Sequence, residues 1–339
     1  MIASTTTDSA ALDPLNRQVI RALQIAPRVP FSLLGEVLGV SEQTVARRYR
    51  RMHRTGTLRV IGIVRPDALG QSTWMVRVQC RPNGATSLAM ALARRDDVGW
   101  VNLNAAGSEV ICSVRSLTEA ARDDLLVQRL PRTAPVLGVA ASVVLHVFVG
   151  GSDTRDWAGL GGELTTVQEG QLRTAVEPVG PLTRNATLDQ SDAALVAALG
   201  RDGRASYASL AAAAGTSEAR VRRRLSALLR QGVVYLDIDV RPGALGLETH
   251  ANLWLRVSPS HLKTAGATLA DTTEVAFAAA VSGQYNLMTS VYAQDLDALY
   301  TFVTDTVGAI PGVQSMEISP VLRHVKQAGS LVVDGHFVD

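Results

Sequence analysis

The stretch GVSEQTVARRYRRMHRTG, residues 39–56, returns 176 positions later as GTSEARVRRRLSALLRQG, residues 215–232. Each copy opens on a glycine and a serine and closes on a glycine. Between them, Val45 and Met52, or Val221 and Leu228, recur at the spacing of one helical face. Ser41 and Ser217 are helix N-caps by type, each followed by an acidic residue suited to a first turn. Residues 41–54 and 217–230 each hold five arginines. The stretch therefore reads as a capped, strongly basic helix, and the chain contains it twice.

The same offset, without a gap, aligns flanking residues. Leu12-Asp13 matches Leu188-Asp189, Arg65-Pro66 matches Arg241-Pro242, Ala68-Leu69-Gly70 matches Ala244-Leu245-Gly246, and Gly107 meets Gly283. A repeat of this period marks a duplicated and fused unit. In copy one, Asp13 caps a first helix with Pro14 at its first position, and Leu15, Val19, Ile20 and Leu23 follow at helical spacing until Pro27. A second helix over Phe31–Leu38 closes at Gly39, and the basic helix is the third, which is the helix-turn-helix pattern. Copy two repeats it over Leu188–Leu199, Tyr207–Ala214 and Ser217–Gln231.

Downstream of each trio the period changes. Copy one predicts strand 73–80, helix 85–95, strands 98–105 and 109–115, helix 117–130 and strand 137–148. Copy two predicts strand 252–257, helix 262–270, strands 275–281 and 285–292, helix 295–307 and strand 313–321. The order βαββαβ is ferredoxin-like, and the fold class is α+β in tandem. A Gly-, Thr- and Pro-rich linker separates the copies, with a short helix expected over 164–173.

The 339 residues are 47% hydrophobic and 19% charged, enough to fill several cores and incompatible with wholesale disorder. Two cysteines, Cys80 and Cys112, exclude a secreted disulfide framework and read as buried thiols. The N-terminus lacks the basic start and apolar core of a signal peptide. The longest apolar run, Val136–Val149, is 14 residues. It falls short of the roughly 20 that cross a bilayer, and reads as a buried strand. A soluble, cytoplasmic protein without membrane partners is expected. Nucleotide-binding glycine loops, a nucleophile elbow and metal-ligand spacing among the six histidines are absent. No cofactor, metal or catalytic residue is predicted, although His250 and His324 stand where a fold of this kind could bring them together.

Net charge is only +2, so it is the clustering of arginine that points to nucleic acid. A basic third helix behind a glycine turn can enter the major groove of double-stranded DNA, reading guanine edges or gripping phosphates. The predicted contacts are Ser41, Gln43, Thr44, Arg47, Arg48, Arg51 and Arg54 in copy one, and Ser217, Arg220, Arg223, Arg224 and Arg230 in copy two. The two N-terminal ends differ (Gln43-Thr44 against Ala219-Arg220), so unlike half-sites are expected. The competing reading of such a run is a solvated basic face.

The order LD…G-x-S-E-x-x-V-x-R-R…G, R-P-x-A-L-G, then βαββαβ resembles the Lrp/AsnC (feast/famine) regulators, over nearly the whole chain and twice, like the double-length members of actinobacteria. The resemblance implies DNA binding through Arg47, Arg48, Arg223 and Arg224. It also implies effector (RAM-type) domains that pair and bind an amino acid or related small molecule, and self-assembly to dimers or tetramers of this chain. The family's effector loop, commonly G-x-Y/F-D, has Gly283-Gln284-Tyr285-Asn286 as its match in copy two and Gly107-Ser108-Glu109 in copy one. The neutral Asn286 offers no charge to an ammonium group, and the competing reading of both glycines is a hairpin turn. The predicted domains are a disordered N-terminus 1–11, helix-turn-helix 12–58, effector domain 59–148 with a connecting strand 59–70, linker 149–187, helix-turn-helix 188–234, effector domain 235–327 with a connecting strand 235–246, and a C-terminal tail 328–339. Two alternatives share these features. One is an enzyme resembling the siroheme decarboxylases, which have the same two-part architecture. The other is a weakly specific architectural DNA-binding protein without an effector, distinguished by equal, steeply salt-dependent binding to any duplex.

Overall fold

The computed structural model describes residues 12–116, 118–151, 157, 159, 164–176 and 182–338; the expected disordered segment 1–11 lies outside these. Copy one runs α1 (Pro14–Ile25), α2 (Phe31–Leu38), α3 (Glu42–Arg54), β1 (Leu58–Val64), β2 (Ser72–Cys80), α4 (Pro82–Ala93), β3 (Val98–Asn104), β4 (Glu109–Ser116), α5 (Glu119–Asp123) and β5 (Val136–Val149). The linker contributes α6 (Thr166–Thr174). Copy two follows with α7 (Gln190–Arg201), α8 (Tyr207–Ala214), α9 (Glu218–Arg230), β6 (Val234–Val240), β7 (Thr249–Val257), α10 (Leu262–Ala270), β8 (Val275–Val281), β9 (Leu287–Ala293), α11 (Leu296–Thr301) and β10 (Val313–Gln327). The short strands β11 (Ser330–Val333) and β12 (His336–Val338) end the chain.

Local chemistry explains the helical ends. Asp13 accepts from the Asn16 amide, Ser41 from Thr44, Asp189 from Asp192 and Ser217 from Arg220, each satisfying a donor that the first turn leaves free. Gly39 and Gly215 end α2 and α8 at φ +68° and +61°, a backbone region that penalises a side chain.

In the upper tier the two helix-turn-helix units are joined by an exchange. β1 and β6 pair antiparallel along their whole length, from Leu58 opposite Val240 to Val64 opposite Val234. Ile238 and Val240 of copy two enter the core of unit one, beside Val19, Leu23 and Leu34. Ala68 of copy one, with Val64 and Leu69 at its edge, enters that of unit two, beside Leu199, Leu210 and Leu225. At the crossing, Gly62 lies against Leu199, where a Cβ would come within 2.7 Å. Neither unit closes its apolar core without the other copy's strand.

In the lower tier the two βαββαβ units form one closed ring of strands, in the order β3-β4-β2-β5-β8-β9-β7-β10 and back to β3. The long strands close it. β5 pairs with its own β2 and then, from Val144 onward, with β8 of copy two. β10 pairs with its own β7 and then, from Val321 onward, with β3 of copy one. Each copy keeps an apolar core under its helices, and a third cluster between the copies joins Met75, Ile111, Trp254, Ala279, Val281 and Met288.

One expectation needs correction. Val136–Val149 is a strand but not a buried one over most of its length: Leu137 and Leu145 are 65% and 64% exposed, and only Phe148 and Val149 at its end are buried. The C-terminal tail carries a hairpin over 330–338, in which β11 pairs with β10 and β12 reaches the exit of α3. There the Phe337 amide donates to the Gly56 carbonyl at 3.5 Å, and an Arg59 Nη to that of Val338 at 3.3 Å.

Candidate nucleic-acid interface and effector site

On α3, Val45, Tyr49 and Met52 are buried. At about 100° per residue the opposite side centres on Gln43, Arg47, Arg50 and Arg54, with Arg51 alongside; all five side chains are exposed. On α9, Val221, Leu225 and Leu228 are buried, and the corresponding side carries Ala219, Arg223 and Arg230, all exposed. Ser41 and Ser217 are exposed caps, Thr44 is half-buried beside Ser41, and Arg220 is exposed on the flank of α9. Arg50 was missed by the sequence reading, although the same angular arithmetic places it nearer the centre of the exposed side than Arg48. Arg222, also missed, lies over the Tyr207 ring at 4.1 Å.

Arg48 and Arg224 do not share that open side. Arg48 turns toward the start of α1, where its Nη1 bonds Asp13 and, at 3.0 Å, Asn16 Oδ1. Arg224, its repeat counterpart, bonds both oxygens of the buried Asp192 at 2.6 and 2.5 Å. The first cause holding Asp192 below the usual carboxylate range is this Arg224 bond, which wins over burial. At Asp13, burial raises the pKa, but the bonds from Arg48 and the Asn16 amide leave it lowered. Both arginines therefore fix the third helix on the first, in the bidentate or forked geometry that suits guanidinium.

The two effector-loop motifs meet on the inner face of the ring. Arg77 on β2 donates to Glu109 at 2.7 Å and also to Glu317 on β10, and its guanidinium lies 4.8 Å over Trp254. Tyr285, the repeat counterpart of Glu109, hydrogen-bonds Glu317, whose pKa the Arg77 bond holds low. Glu109, Arg77, Glu317 and Tyr285 thus form one ionic cluster with contributions from both copies. Ser108 bonds the Ala105 carbonyl at 2.7 Å within its turn, Gly107 and Gly283 take φ of +86° and +110°, and Gln284 is exposed. Asn286 faces away from ligand duty: its amide donates to the Val257 carbonyl at 2.7 Å and accepts from the Val257 amide at 2.8 Å. The charges of this cluster come from Glu109, Glu317 and Arg77, of which the sequence reading named only Glu109.

His250 and His324 do come together. Their rings lie nearly parallel at 4.8 Å, and Tyr292 joins them, 4.1 Å from His250 and 6.2 Å from His324. His250 Nε2 lies 2.6 Å from Ser290 Oγ, and His324 Nδ1 lies 3.0 Å from Asn102 Oδ1. Burial pushes both imidazoles down, His324 to about 4 and His250 well below its ordinary value, with His324 adding to the effect at His250. Both are neutral at pH 7. Cys80 and Cys112 are free and buried, and burial lifts the Cys112 thiol to about 12. Among the described residues no three His, Cys, Asp or Glu side chains are arranged to hold a metal ion, and no helix is long and apolar enough to cross a membrane.

Comparison with known proteins places these features. The profile of the AsnC-type helix-turn-helix domain matches residues 12–53 and again 188–229, and that of the Lrp/AsnC ligand binding domain matches 250–331. An HTH-type transcriptional regulator of Pyrococcus horikoshii is 30% identical over 150 residues, 44% of this chain and 94% of the relative. The HTH-type transcriptional regulator LrpA1 of Halobacterium salinarum is 32% identical over 139 residues, 41% of this chain and 98% of the relative. Among solved structures, the siroheme decarboxylase NirDL in complex with an iron-uroporphyrin III analogue superposes with a TM-score of 0.60 over 93% of both chains. At 12% identity that likeness is one of fold. With an AsnC-type reader in each half, the chain belongs to the Lrp/AsnC family of DNA-binding transcriptional regulators, as a double-length member.

Proposed function

We propose that this chain is a sequence-specific regulator that reads two unlike DNA half-sites and responds to an amino acid or related metabolite. The observation that carries the reading is the pair of third helices, each with an open arginine side, held in one exchanged upper tier. In this reading Gln43, Arg47, Arg50, Arg51 and Arg54 of α3, and Arg220, Arg223 and Arg230 of α9, face the duplex. Ser41, Thr44 and Ser217 shape the helix starts, while Arg48 and Arg224 hold the helices in place. Major-groove arginines discriminate guanine, and the remaining contacts supply the salt-dependent grip on phosphate.

The effector site lies at the cluster of Glu109, Arg77, Glu317 and Tyr285, with Gly107, Ser108, Gly283 and Gln284 forming the adjoining turns. A zwitterion needs an anion for its ammonium group and a cation for its carboxylate, and the cluster offers both. Because it joins the copies, a ligand that exchanges into it changes how they meet, and through β1 and β6 how the readers stand. The exposed Leu137, Leu145, Ile318 and Leu322 on the long strands suit self-association to a dimer or tetramer. The protein works in the cytoplasm, where its DNA is.

The test is a fluorescence-anisotropy titration of the purified chain against its own upstream DNA and a scrambled duplex, at several salt concentrations. A preference of about 10³-fold or more is expected; equal, steeply salt-dependent binding to both would establish the architectural alternative. The stacked His250–His324 pair is the one observation favouring a tetrapyrrole enzyme of the same fold. Four of the named polar groups, His250 Nε2, Ser290, His324 Nδ1 and Asn102, already satisfy one another. Titrated iron-uroporphyrin is therefore expected to leave its absorbance unchanged, and a saturable shift would favour the enzyme.

A further inference from the structure

The upper tier contains a reciprocal pair of bonds that the repeat makes intelligible. Arg28 and Arg204 are counterparts, 176 residues apart. Arg28 donates through its two Nη atoms to the carbonyls of Gly203 and Ala205, at 2.6 and 2.9 Å. Arg204 donates in the same way to Pro27 and Val29, at 2.6 and 2.9 Å. Each arginine thus grips the two carbonyls that flank its own counterpart. The rings repeat the pattern: Arg28 lies 5.0 Å from the centre of Tyr207, and Arg204 lies 4.3 Å from that of Phe31, the counterpart of Tyr207. Neither guanidinium is ion-paired to a carboxylate among the described residues. A guanidinium taken from water without an anion is tolerated only where its donors and its flat face are all used.

The clamp also reaches both recognition helices. Arg204 lies 5.4 Å from the ring of Tyr49 on α3, and Tyr207 is covered on its other contact by Arg222 of α9. The clamp adjoins the β1–β6 ribbon, where the Gly203 amide donates to the Val60 carbonyl at 2.7 Å, and it braces that joint beside the ties from Leu12 to Ala244 and from Arg17 to Leu245.

We propose that Arg28 and Arg204 are positioning residues that fix the distance and angle between α3 and α9, and thereby the spacing of the two half-sites the chain accepts. The inference rests on the DNA-reading function above. One added base pair moves a half-site by about 3.4 Å and turns it by about 35°, so a rigid pair of readers accepts one spacing. A hinged pair behaves as two linked modules and accepts several.

The experiment compares the natural chain with Arg28→Lys/Arg204→Lys, because an ammonium cannot bridge two carbonyls as the planar fork does. Each protein selects from a pool of random-sequence duplexes, which are then sequenced. The natural chain is expected to enrich two half-site motifs at one spacing, and the variant the same two motifs spread over three or more adjacent spacings. A single unchanged spacing in the variant overturns the proposal. Spin labels at Glu42→Cys and Glu218→Cys, at the counterpart starts of α3 and α9, provide a readout without DNA. A narrow distance distribution is expected to broaden in the lysine variant, and an unchanged width overturns the clamp. If the natural chain enriches no motif, the DNA-reading function has failed instead, and the label distances alone decide the role of the arginines. Should the double variant not fold, Arg204→Lys alone is used in both measurements.

Discussion

The buried histidine stack makes stability depend on acid in a defined window. His324 titrates at about 4 in the folded protein, against an ordinary value of 6.5, because burial disfavours its imidazolium. With the folded value depressed, the unfolded chain binds the proton first. Stability from neutral His324 is therefore complete above pH 6.5, is lost as pH falls from there to about 4, and does not change further below. Linkage with these two values gives about 2.5 kcal/mol lost by pH 4.5. His250 acts in the same direction, while Asp239, whose carboxyl burial raises well above its ordinary value, acts in the opposite one. The total slope thus mixes several protons, and a difference measurement isolates one. His324→Asn keeps a donor where Nδ1 meets Asn102 and removes the titration. Urea unfolding of both proteins at pH 7.0, 5.5 and 4.5, followed by tryptophan fluorescence, gives the stability gap at each pH. The natural chain is expected to be more stable at pH 7, with the gap shrinking by on the order of 2–3 kcal/mol by pH 4.5. A gap that stays constant within about 0.5 kcal/mol would refute the argument that the buried imidazole resists protonation.

Three further outcomes are expected. Arg47→Ala should weaken specific DNA binding by about 1–3 kcal/mol with unchanged thermal stability, whereas Arg224→Ala, which leaves the buried Asp192 unpaired, should lower the melting temperature as well; equal melting losses in both would contradict their separate roles. Gly56→Ala forces a side chain onto a φ of +60° and within 3.0 Å of the Phe337 backbone, so it should destabilise by about 1–3 kcal/mol and raise hydrogen exchange in 330–338; exchange confined to α3 would show that the hairpin is not docked there. Leu145→Asp on the open face of β5 should lower the oligomer size in light scattering with the far-ultraviolet spectrum preserved, and an unchanged size would remove that face from the assembly.

The repeat, the trio of helices and the βαββαβ order were legible because they rest on local rules. Asp13, Ser41, Asp189 and Ser217 cap helices whatever the rest of the chain does, Gly39 and Gly215 supply a backbone angle that other residues resist, and apolar spacing tells strand from helix. The same rules, applied as angles around α3, separate Arg50 from Arg48. They could not show that Arg48 and Arg224 would be held by Asp13 and Asp192, since those partners lie 35 and 32 residues away. Nor could they show that Glu109 and Tyr285, alike only in their place in the repeat, would share Arg77 and Glu317.

What the sequence determined by itself was the unit and its duplication. Only the tertiary structure decided how the two units complete each other: β1 and β6 pair and each adds residues to the other copy's core, β5 and β10 each bridge to the other copy, and Arg28 and Arg204 grip across the gap. The physical reason is that one copy leaves apolar strand faces and backbone carbonyls without partners, and the nearest groups able to satisfy them belong to the second copy, held close at all times by the linker.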